Sequence, residues 1–339
     1  MQPNAGPDQS TERYGTVAAV LFRTVQLFLL PIAIVGYVMF VVRLVTYSHR
    51  FGTSATVLAS FYTRYMQHKL GTRRDEPCLR LMQVLPNVHQ IGLRLETAPT
   101  LVAHWLTGYV PTIYRYPYPG EPPMRHQPAA RTTFFDRALA RRLDSIDQVV
   151  ILGAGLDTRL YRLPKGRSLR RFEVDAPANQ AFKRAMLTKA GVDQAGVTFV
   201  AADFLKERWV DTLRDAGFDS NRPAFFVWES VSMYLDRATV EDTLRTIARM
   251  PRGTAVAFDY LSTELIDGRS PWMRYARSLI QAGGERWTFG IDNTPPIRPR
   301  VAAFVEACGL IVEEQHTFEQ ETERTRALAG FAVARAGEI

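Results

Sequence analysis

The 339-residue sequence contains little cysteine, since only Cys78 and Cys308 occur. Two cysteines cannot form a disulfide framework, and their spacing is not that of a metal-binding motif. The chain is therefore typical of a reducing compartment, and we expect no metal site. Internal repeats and low-complexity tracts are also missing, which excludes a repeat architecture.

A third glycine is missing from the most informative motif of the chain. The apolar run 149–152 predicts a buried parallel strand, and Gly153 and Gly155 allow a sharp turn where a ligand can approach the main chain. A dinucleotide site would place glycine or alanine at the position of Thr158. The neighbouring Asp157 suits a ligand with a cationic amino-acid group better than a diphosphate. The motif therefore favours S-adenosylmethionine over a nicotinamide cofactor.

Formal charge is missing from Val25 to Val42, a stretch rich in Leu, Ile, Val and Phe. With its flanks, the segment 16–47 predicts a transmembrane or membrane-anchoring helix, preceded by a disordered tail over 1–15. Lys/Arg bias, with Arg43 and Arg50 after the segment, predicts a cytoplasmic catalytic part. The alternatives are an interfacial helix, or a lid over the substrate pocket of a cytoplasmic protein.

Basic charge is concentrated in one block of the chain. The net charge is +8, yet residues 43–142 alone hold 14 Lys/Arg against 5 Asp/Glu. Because this block follows the hydrophobic segment and no nucleic-acid-binding motif accompanies it, we expect an anionic membrane surface as partner and no nucleic acid. A solvated basic face is the alternative.

The remaining chain divides into a cover region over 48–130 and a catalytic domain over 131–339. The cover region is predicted to be helical over 54–85 and an irregular, Pro-, Gly- and Tyr-rich cover over 86–128. After residue 131, apolar strands alternate with helical patterns, which predicts an α/β fold with a doubly wound, mostly parallel, Rossmann-like sheet. Two late strands predict an antiparallel edge. The predicted strands are 149–152, 171–174, 197–200, 224–228, 254–258, 310–315 and 330–334.

Acidic residues follow three further strands of this predicted sheet. Glu173 or Asp175 is placed to bind ribose hydroxyls, although Asp175 could instead cap the following helix. Asp203 could bind an adenine amine, with Phe204 stacking on the ring. Glu229 would lie in the crevice at the carboxyl edge of the sheet, where open α/β sheets bind ligands.

Taken together, these motifs resemble the S-adenosylmethionine-dependent methyltransferases of the leucine carboxyl methyltransferase family, including its actinobacterial branch. The resemblance rests on GAGLDTRLYRL, FEVDAP, AADF and WESVSMYL, with RTTFFD at 131–136 and ERWTFGI at 285–291, and it covers roughly residues 54–335. It implies a class I methyltransferase fold. The hydrophobic segment 16–47 departs from the family, which is otherwise soluble.

The resemblance implies a role for each matching residue. The amino-acid end of S-adenosylmethionine would contact Gly153, Gly155 and Asp157, and its ribose Asp175. Its adenine would contact Asp203 and Phe204, and its methionine portion would lie near Glu229. Two arginines complete the set. Arg131 matches a family arginine that contacts a carboxylate and is predicted to bind the cofactor. Arg64, predicted to orient the substrate, loosely matches a basic residue before a Gly-x-x-x-Asp element, which here is 71–75.

These features predict O-methylation of a carboxylate or hydroxyl on a small or lipid-like acceptor. A carboxylate acceptor needs no general base and could be oriented by Arg131 or Arg64. A hydroxyl acceptor would need a base, for which His68 and Tyr234 are candidates. The alternatives are a nicotinamide-dependent oxidoreductase and a non-catalytic, membrane-tethered binding protein with the same fold.

Overall fold

The structure of the protein is a computed structural model. It describes residues 15–51, 57–118, 123, 126–164, 168–204, 208–268, 273–274, 278, 286–318, 321 and 326–337. Residues 1–14, which make up nearly all of the predicted disordered tail, lie outside the described residues.

Helices dominate the first part of the chain, and strands alternate with helices from residue 148 onward. The helices are α1 (Thr16–Phe28), α2 (Leu30–Phe51), α3 (Val57–Lys69), α4 (Glu76–Val84), α5 (Gln90–Thr107), α6 (Gln127–Arg142), α7 (Arg159–Arg162), α8 (Pro177–Lys189), α9 (Trp209–Asp215), α10 (Arg237–Ala248), α11 (Thr263–Asp267) and α12 (Ile297–Ala307). The strands are β1 (Gln148–Leu152), β2 (Arg170–Asp175), β3 (Val197–Ala201), β4 (Ala224–Trp228), β5 (Ala255–Leu261), β6 (Leu310–Thr317) and β7 (Ala329–Ala336).

The seven strands form one sheet in the order β3-β2-β1-β4-β5-β7-β6. Strands β1 to β5 pair in parallel, and β7 pairs antiparallel with both β5 and β6. The predicted α/β class, the parallel sheet and its antiparallel edge are thus confirmed. The order reverses direction at β1, so the carboxyl ends of β1 and β4 border the crevice in which such sheets bind ligands.

The central strands are buried on both faces because helices cover the sheet from both sides. All five residues of β1 are buried. Val150 and Leu152 join one apolar cluster, whereas Val149 and Ile151 join the cluster on the opposite face. Strand side chains alternate between faces, so a continuous apolar run is what a doubly covered strand requires.

The cover region packs on the catalytic domain through a third apolar cluster, in which Phe61 and Met66 of α3 meet Leu187 of α8. The region predicted to be helical over 54–85 is divided into α3 and α4 by a turn at Gly71, which has φ +72°. The irregular cover expected over 86–128 is in part wrong, because α5 occupies 18 of those residues. Pro99 lies inside α5, where it removes a helical hydrogen bond and obscures the helix in the sequence.

The N-terminal hydrophobic segment forms two helices rather than one. α1 ends at Phe28, and α2 begins at Leu30, immediately before Pro31. Proline has no N–H to donate into the preceding turn, which explains a break at this point. Within α2, Leu30–Tyr47 meets the length and composition of a membrane span, and 6% of it is buried.

Candidate functional site

A cavity of about 530 Å³ opens at the carboxyl edge of the parallel strands. The loops that follow β1, β2, β3 and β4 form one side of it, and residues of α3 and α6 form the other. Of the residues predicted for the site, the structure brings ten to this cavity: Arg64, Arg131, Gly153, Gly155, Asp157, Asp175, Asp203, Phe204, Glu229 and Tyr234.

The glycine loop after β1 is held against β2 by its main chain. The amides of Gly153 and Ala154 donate to the Val174 carbonyl at 2.8 and 3.1 Å. Gly153 has φ +66°, and a Cβ at this position would lie 2.3 Å from Cγ2 of Val231. The position therefore requires glycine for both its conformation and its space, and the loop leaves main chain facing the cavity.

Asp175 and Glu173 occupy different environments. The carboxylate of Asp175 accepts hydrogen bonds from the amides of Gly155 at 2.6 Å and Ala176 at 2.7 Å, so it links the glycine loop to the start of α8. Glu173 is buried away from the cavity lining, where it pairs with Lys183 of α8 at 2.8 Å. Its expected role in cofactor binding is therefore corrected, and Asp175 is the acid of β2 that lines the cavity.

Lys183 is a site residue that sequence reasoning missed. Its ammonium donates to the carbonyls of Asp157 at 2.7 Å and Ala154 at 3.4 Å, and so fixes the end of the glycine loop. Burial raises the pKa of Glu173, and Lys183 opposes that rise. The helical pattern around Lys183 gave no signal, because only the fold shows that this position points inward.

The residues predicted to hold the adenine lie together at the end of β3. Asp203 and Phe204 both line the cavity, and the Phe204 ring lies 6.0 Å from that of Trp209. The main chain is tied to β2, since the Ala202 amide donates to the Asp175 carbonyl at 2.9 Å. This end of the cavity thus presents an aromatic ring and a carboxylate on one wall, which suits an aromatic base with an exocyclic amine.

Asp157 and Glu229 lie in a buried ion network. Arg64 donates to both carboxylate oxygens of Glu229 at 2.6 and 2.7 Å, and Arg159 contacts Glu229 at 2.5 Å and also Asp157. Burial alone would raise the pKa of both carboxyl groups, but Arg159 and Arg64 hold the pKa of each below its usual value. Both groups are therefore anionic, and both are already paired.

The network continues beneath the cavity and joins the cover region to the catalytic domain. Asp136 of α6 accepts from Arg73 at 2.8 Å and from Arg159 at 2.7 Å. Asp75, which caps α4, accepts from Thr158 at 2.8 and 2.9 Å. The 71–75 element, the 131–136 segment and the residues after the glycines, which are far apart in the sequence, thus meet in one cluster.

Arg131 lies on α6, beside a buried acid that the sequence did not reveal. Its guanidinium is 3.2 Å from Asp259 and donates to the Ser60 hydroxyl at 2.9 Å. Asp259 also accepts from the Ser230 amide at 2.7 Å, which supports the positive φ of Ser230, +61°. Asp259 directly follows the strand predicted at 254–258. The strand-end rule, by which an acid that follows a predicted strand is a candidate site residue, could therefore have found it. Burial raises its pKa to about 6, against the opposing charge of Arg131.

The two candidate bases separate in the structure. Tyr234 lines the cavity, whereas His68 does not: its Nδ1 accepts from the Asp75 amide at 2.9 Å, and its Nε2 is 3.6 Å from Glu76. His68 is therefore corrected to a structural residue. Apolar side chains make up much of the remaining wall, including those of Phe61, Pro128, Met233, Leu261, Leu265 and Trp287.

The late segment at 285–291, which contributes to the family resemblance, also reaches this wall. Trp287 lines the cavity, and the Thr288 amide donates to the Met233 carbonyl at 2.7 Å. Glu285, the first residue of the ERWTFGI match, lies outside the described residues. Over the part of the chain that the structure describes, no cluster of His, Cys, Asp or Glu side chains has the arrangement of a metal site.

Comparison with known proteins identifies the family. The sequence profile described as "Leucine carboxyl methyltransferase" matches residues 116–248. A Mycolicibacterium paratuberculosis protein named as an S-adenosyl-L-methionine-dependent methyltransferase is 33% identical over 76% of this chain and 82% of its own length. The chain belongs to this methyltransferase family. The relatives come from mycobacteria and Parafrankia, in agreement with the actinobacterial branch.

Other matches to the family are shorter. A second M. paratuberculosis relative is 40% identical over 33% of this chain and 38% of its own length, and one from Mycolicibacterium gilvum is 36% identical over 42% and 49%. The chain thus spans about half or less of the length of these relatives. Among solved structures, mitomycin 7-O-methyltransferase MmcR aligns over 63% of this chain at 16% identity with a TM-score of 0.39, which is too low to bear on function.

S-adenosylmethionine is the cofactor of the family, and the cavity fits it. Gly153 and Gly155 line the cavity without side chains, and Asp175 offers a carboxylate beside the loop, as hydroxyl groups of a ribose require. The volume of about 530 Å³ lies within the usual range for small-molecule sites. A nicotinamide-dependent oxidoreductase, the alternative left open by the sequence, is not the family to which the chain belongs.

Proposed function

We propose that the protein catalyses methyl transfer from S-adenosylmethionine to an oxygen of a small or lipid-like acceptor, and that the acceptor group is a carboxylate. The observation that carries this proposal is the position of Arg131, a buried guanidinium in an otherwise largely apolar cavity wall. A planar guanidinium binds carboxylates through paired hydrogen bonds. Arg64 pairs with two carboxylates, those of Glu229 and Asp157, whereas Arg131 pairs with one, that of Asp259 at 3.2 Å.

The cofactor-binding roles follow the cavity lining. We assign the main chain of Gly153 and Gly155, with Asp157 and Glu229, to the amino-acid end. We assign Asp175 to the ribose, and the pair Asp203 and Phe204 to the adenine. The arrangement supports these roles because each group lies at the carboxyl end of a neighbouring strand, in the order that an extended ligand would meet them.

When bound, S-adenosylmethionine supplies an electrophilic methyl carbon on a sulfonium. The chain's own contribution is alignment and exclusion of water. The apolar side chains of Met233, Leu265 and Trp287 keep the acceptor end dry, which strengthens the hold of Arg131 on an anion. A carboxylate attacks in its ionised form, so no residue has to remove a proton. A hydroxyl acceptor would instead need a general base, and Tyr234 is the candidate base that lines the cavity.

The experiment is labelled-methyl transfer to fractionated lipids and small acids from native extracts. Mild alkali then separates the two acceptor classes, since methyl esters release methanol and methyl ethers do not. Alkali-labile label supports the proposal, and alkali-stable label supports a hydroxyl acceptor. Tight binding of S-adenosylmethionine in calorimetry with no labelled acceptor would favour the non-catalytic binding protein.

Arg131→Lys tests the role of Arg131 because lysine keeps a charge beside Asp259 but loses the paired donors. We expect KM for the acceptor to rise about tenfold or more, with unchanged affinity for S-adenosylmethionine. Arg137→Lys, at an exposed position of the same helix, is the matched control. A loss of S-adenosylmethionine affinity instead would assign Arg131 to the cofactor.

We also propose that the N-terminal helices attach the protein to a membrane, with the catalytic domain on the cytoplasmic side. The apolar stretch Leu30–Tyr47 and the basic block that follows it support this location. Deletion of residues 1–47 should move the protein from the membrane fraction to the supernatant. Full-length protein that already stays in the supernatant would refute the attachment and support a cytoplasmic location.

A further inference from the structure

Three helices carry almost all of the exposed large hydrophobic side chains of the described residues. Seventeen of the eighteen belong to α1, α2 and α5, and the other is Ile311 on β6. We call the seventeen side chains the N-terminal apolar face. On α5 they include Trp105, which is 81% exposed, and on α1 they include Phe28, which is 80% exposed. Contiguous apolar surface of this extent marks an interaction site.

α2 is not free to separate from the rest of the protein, because it packs backbone to backbone on α5. A Cβ on Gly36 would lie 2.3 Å from the amide nitrogen of Glu96, and a Cβ on Gly92 would lie 2.9 Å from the Gly36 carbonyl oxygen. At one end of this contact the Arg43 Nε donates to the Pro86 carbonyl at 2.9 Å. Paired small residues allow such close helix contact.

α1 continues the same contact toward the other end of α5. The rings of Phe22 and Tyr109 lie 5.0 Å apart, and the Gln26 amide donates to the Thr100 hydroxyl at 3.0 Å. α1 and α2 therefore run antiparallel to α5 along its whole length. The three helices form one layer rather than an isolated hydrophobic helix.

The layer is in turn attached through α5 to α3 and α4 of the cover region. The Tyr62 hydroxyl of α3 donates to Glu96 at 2.6 Å, and the Gln90 amide donates to the Met82 carbonyl at 3.0 Å. Glu96 lies beside Gly36, near the middle of the apolar stretch of α2. If α2 crossed a bilayer with this packing intact, Glu96 and the exposed Arg94 would enter its hydrocarbon core, which is costly.

From this geometry we propose that the N-terminal apolar face lies flat in one leaflet of an anionic bilayer and that no helix of the layer crosses the membrane. This inference rests on the membrane attachment proposed above and adds its geometry, its lipid charge and the participation of α5. The exposed Arg23 of α1, Arg43 of α2 and Arg94 of α5 lie on the same layer, and their charge complements anionic headgroups.

The shape of the face favours lipid over a second copy of the chain. Val35 and Tyr37 are 55% and 59% exposed, although two steps of about 100° each place them about 160° apart around α2. A rigid protein partner covers one side of a helix, whereas fluid acyl chains can surround most of its circumference. Among the side chains of α2 that the structure describes, the stripe that holds Gly36 and Phe40 faces protein.

Vesicle flotation tests the surface. The native protein should bind vesicles of phosphatidylcholine with phosphatidylglycerol more tightly than phosphatidylcholine alone. Trp105→Glu should weaken that binding about tenfold or more, because it places a charge at a lipid-contacting position. Ile311→Glu changes a large hydrophobic side chain that is exposed outside the face, and this variant should bind as the native protein does. Calorimetry with S-adenosylmethionine should give equal affinities for all three, which keeps this test independent of the enzymatic proposal.

Labelling of single cysteines tests the orientation. In inside-out membrane vesicles, a membrane-impermeant maleimide should label Gly15→Cys as readily as Lys189→Cys, an exposed catalytic-domain position. Cys78 and Cys308 are buried and serve as the background. Protection of Gly15→Cys until detergent is added would show a crossing and overturn the proposal. Equal vesicle binding by native protein and Trp105→Glu, or a solution dimer that Trp105→Glu dissociates, would also overturn it.

Discussion

Substitution of Gly153 by alanine separates two costs that usually occur together. The first is conformational: φ is +66°, and an L-residue in the left-handed region loses about 1–2 kcal/mol. The second is steric: the new Cβ would lie 2.3 Å from Val231 Cγ2. Valine is β-branched and stiff, so the clash moves backbone rather than a flexible side-chain end.

The steric term should dominate the effect on ligand binding. Relief of a 2.3 Å approach to an ordinary contact distance requires a shift of roughly 1 Å or more, and both Gly153 and Val231 line the cavity. In enzymes, a misplacement of about this size can lower the reaction rate about 100-fold. We therefore expect Gly153→Ala to weaken S-adenosylmethionine binding about 100-fold and to lower the unfolding free energy by a further 1–3 kcal/mol or so from overpacking.

Two further variants isolate these terms. Gly191→Ala carries the same conformational cost, since φ is +64°, but a Cβ there meets nothing within 4 Å. It should lose stability by about 1–2 kcal/mol and keep full affinity. Val231→Ala combined with Gly153→Ala removes the two Cγ atoms and should restore part of the affinity. Calorimetry and urea unfolding measure both quantities. Gly153→Ala with an affinity within about threefold of native would refute the assignment of this loop to the ligand.

Two other predictions concern buried charges. Burial raises the pKa of Asp259 to about 6 from 3.8, despite Arg131, so the folded protein holds this proton more tightly than the unfolded chain does. The stabilisation from this bound proton is then present below about pH 4 and lost as the pH rises to about 6. Asp259→Asn should remove this pH dependence, which amounts to a fall in unfolding free energy of up to about 3 kcal/mol over that window in the native protein. An unchanged slope would contradict this. Lys183→Met leaves Glu173 buried without its counter-charge and should cost about 3–5 kcal/mol in urea unfolding. Glu173→Gln added to it should recover most of that loss; no recovery would show that the carbonyl contacts of Lys183, rather than the ion pair, matter most.

The parallel sheet could be predicted from the sequence because its signals are local. The apolar run at 149–152, the glycines after it and the acids after later strands each act over a few residues, and the strand-end rule placed Asp175, Asp203 and Glu229 at one edge. A continuous apolar run predicts a strand that is buried on both faces, as in a parallel sheet covered by helices, and this prediction needs no knowledge of distant contacts. Glu173 shows the limit of the rule. Two acids lie near the end of β2, and sequence position alone does not show which of them lines the cavity.

Tertiary structure alone decided the features that depend on contacts between distant residues. The helix α5 forms despite Pro99 because α1 and α2 pack against it, and propensity yields to such packing. Asp136 and Asp75 become part of one ion network only when α4, α6 and the glycine loop meet in the fold. Lys183 contacts that loop only because the fold packs α8 beside it. The sequence determined the strands and the ligand-facing edge, which rest on local hydrophobic periodicity. The partners of buried charges were decided by the fold, because they are set by three-dimensional proximity.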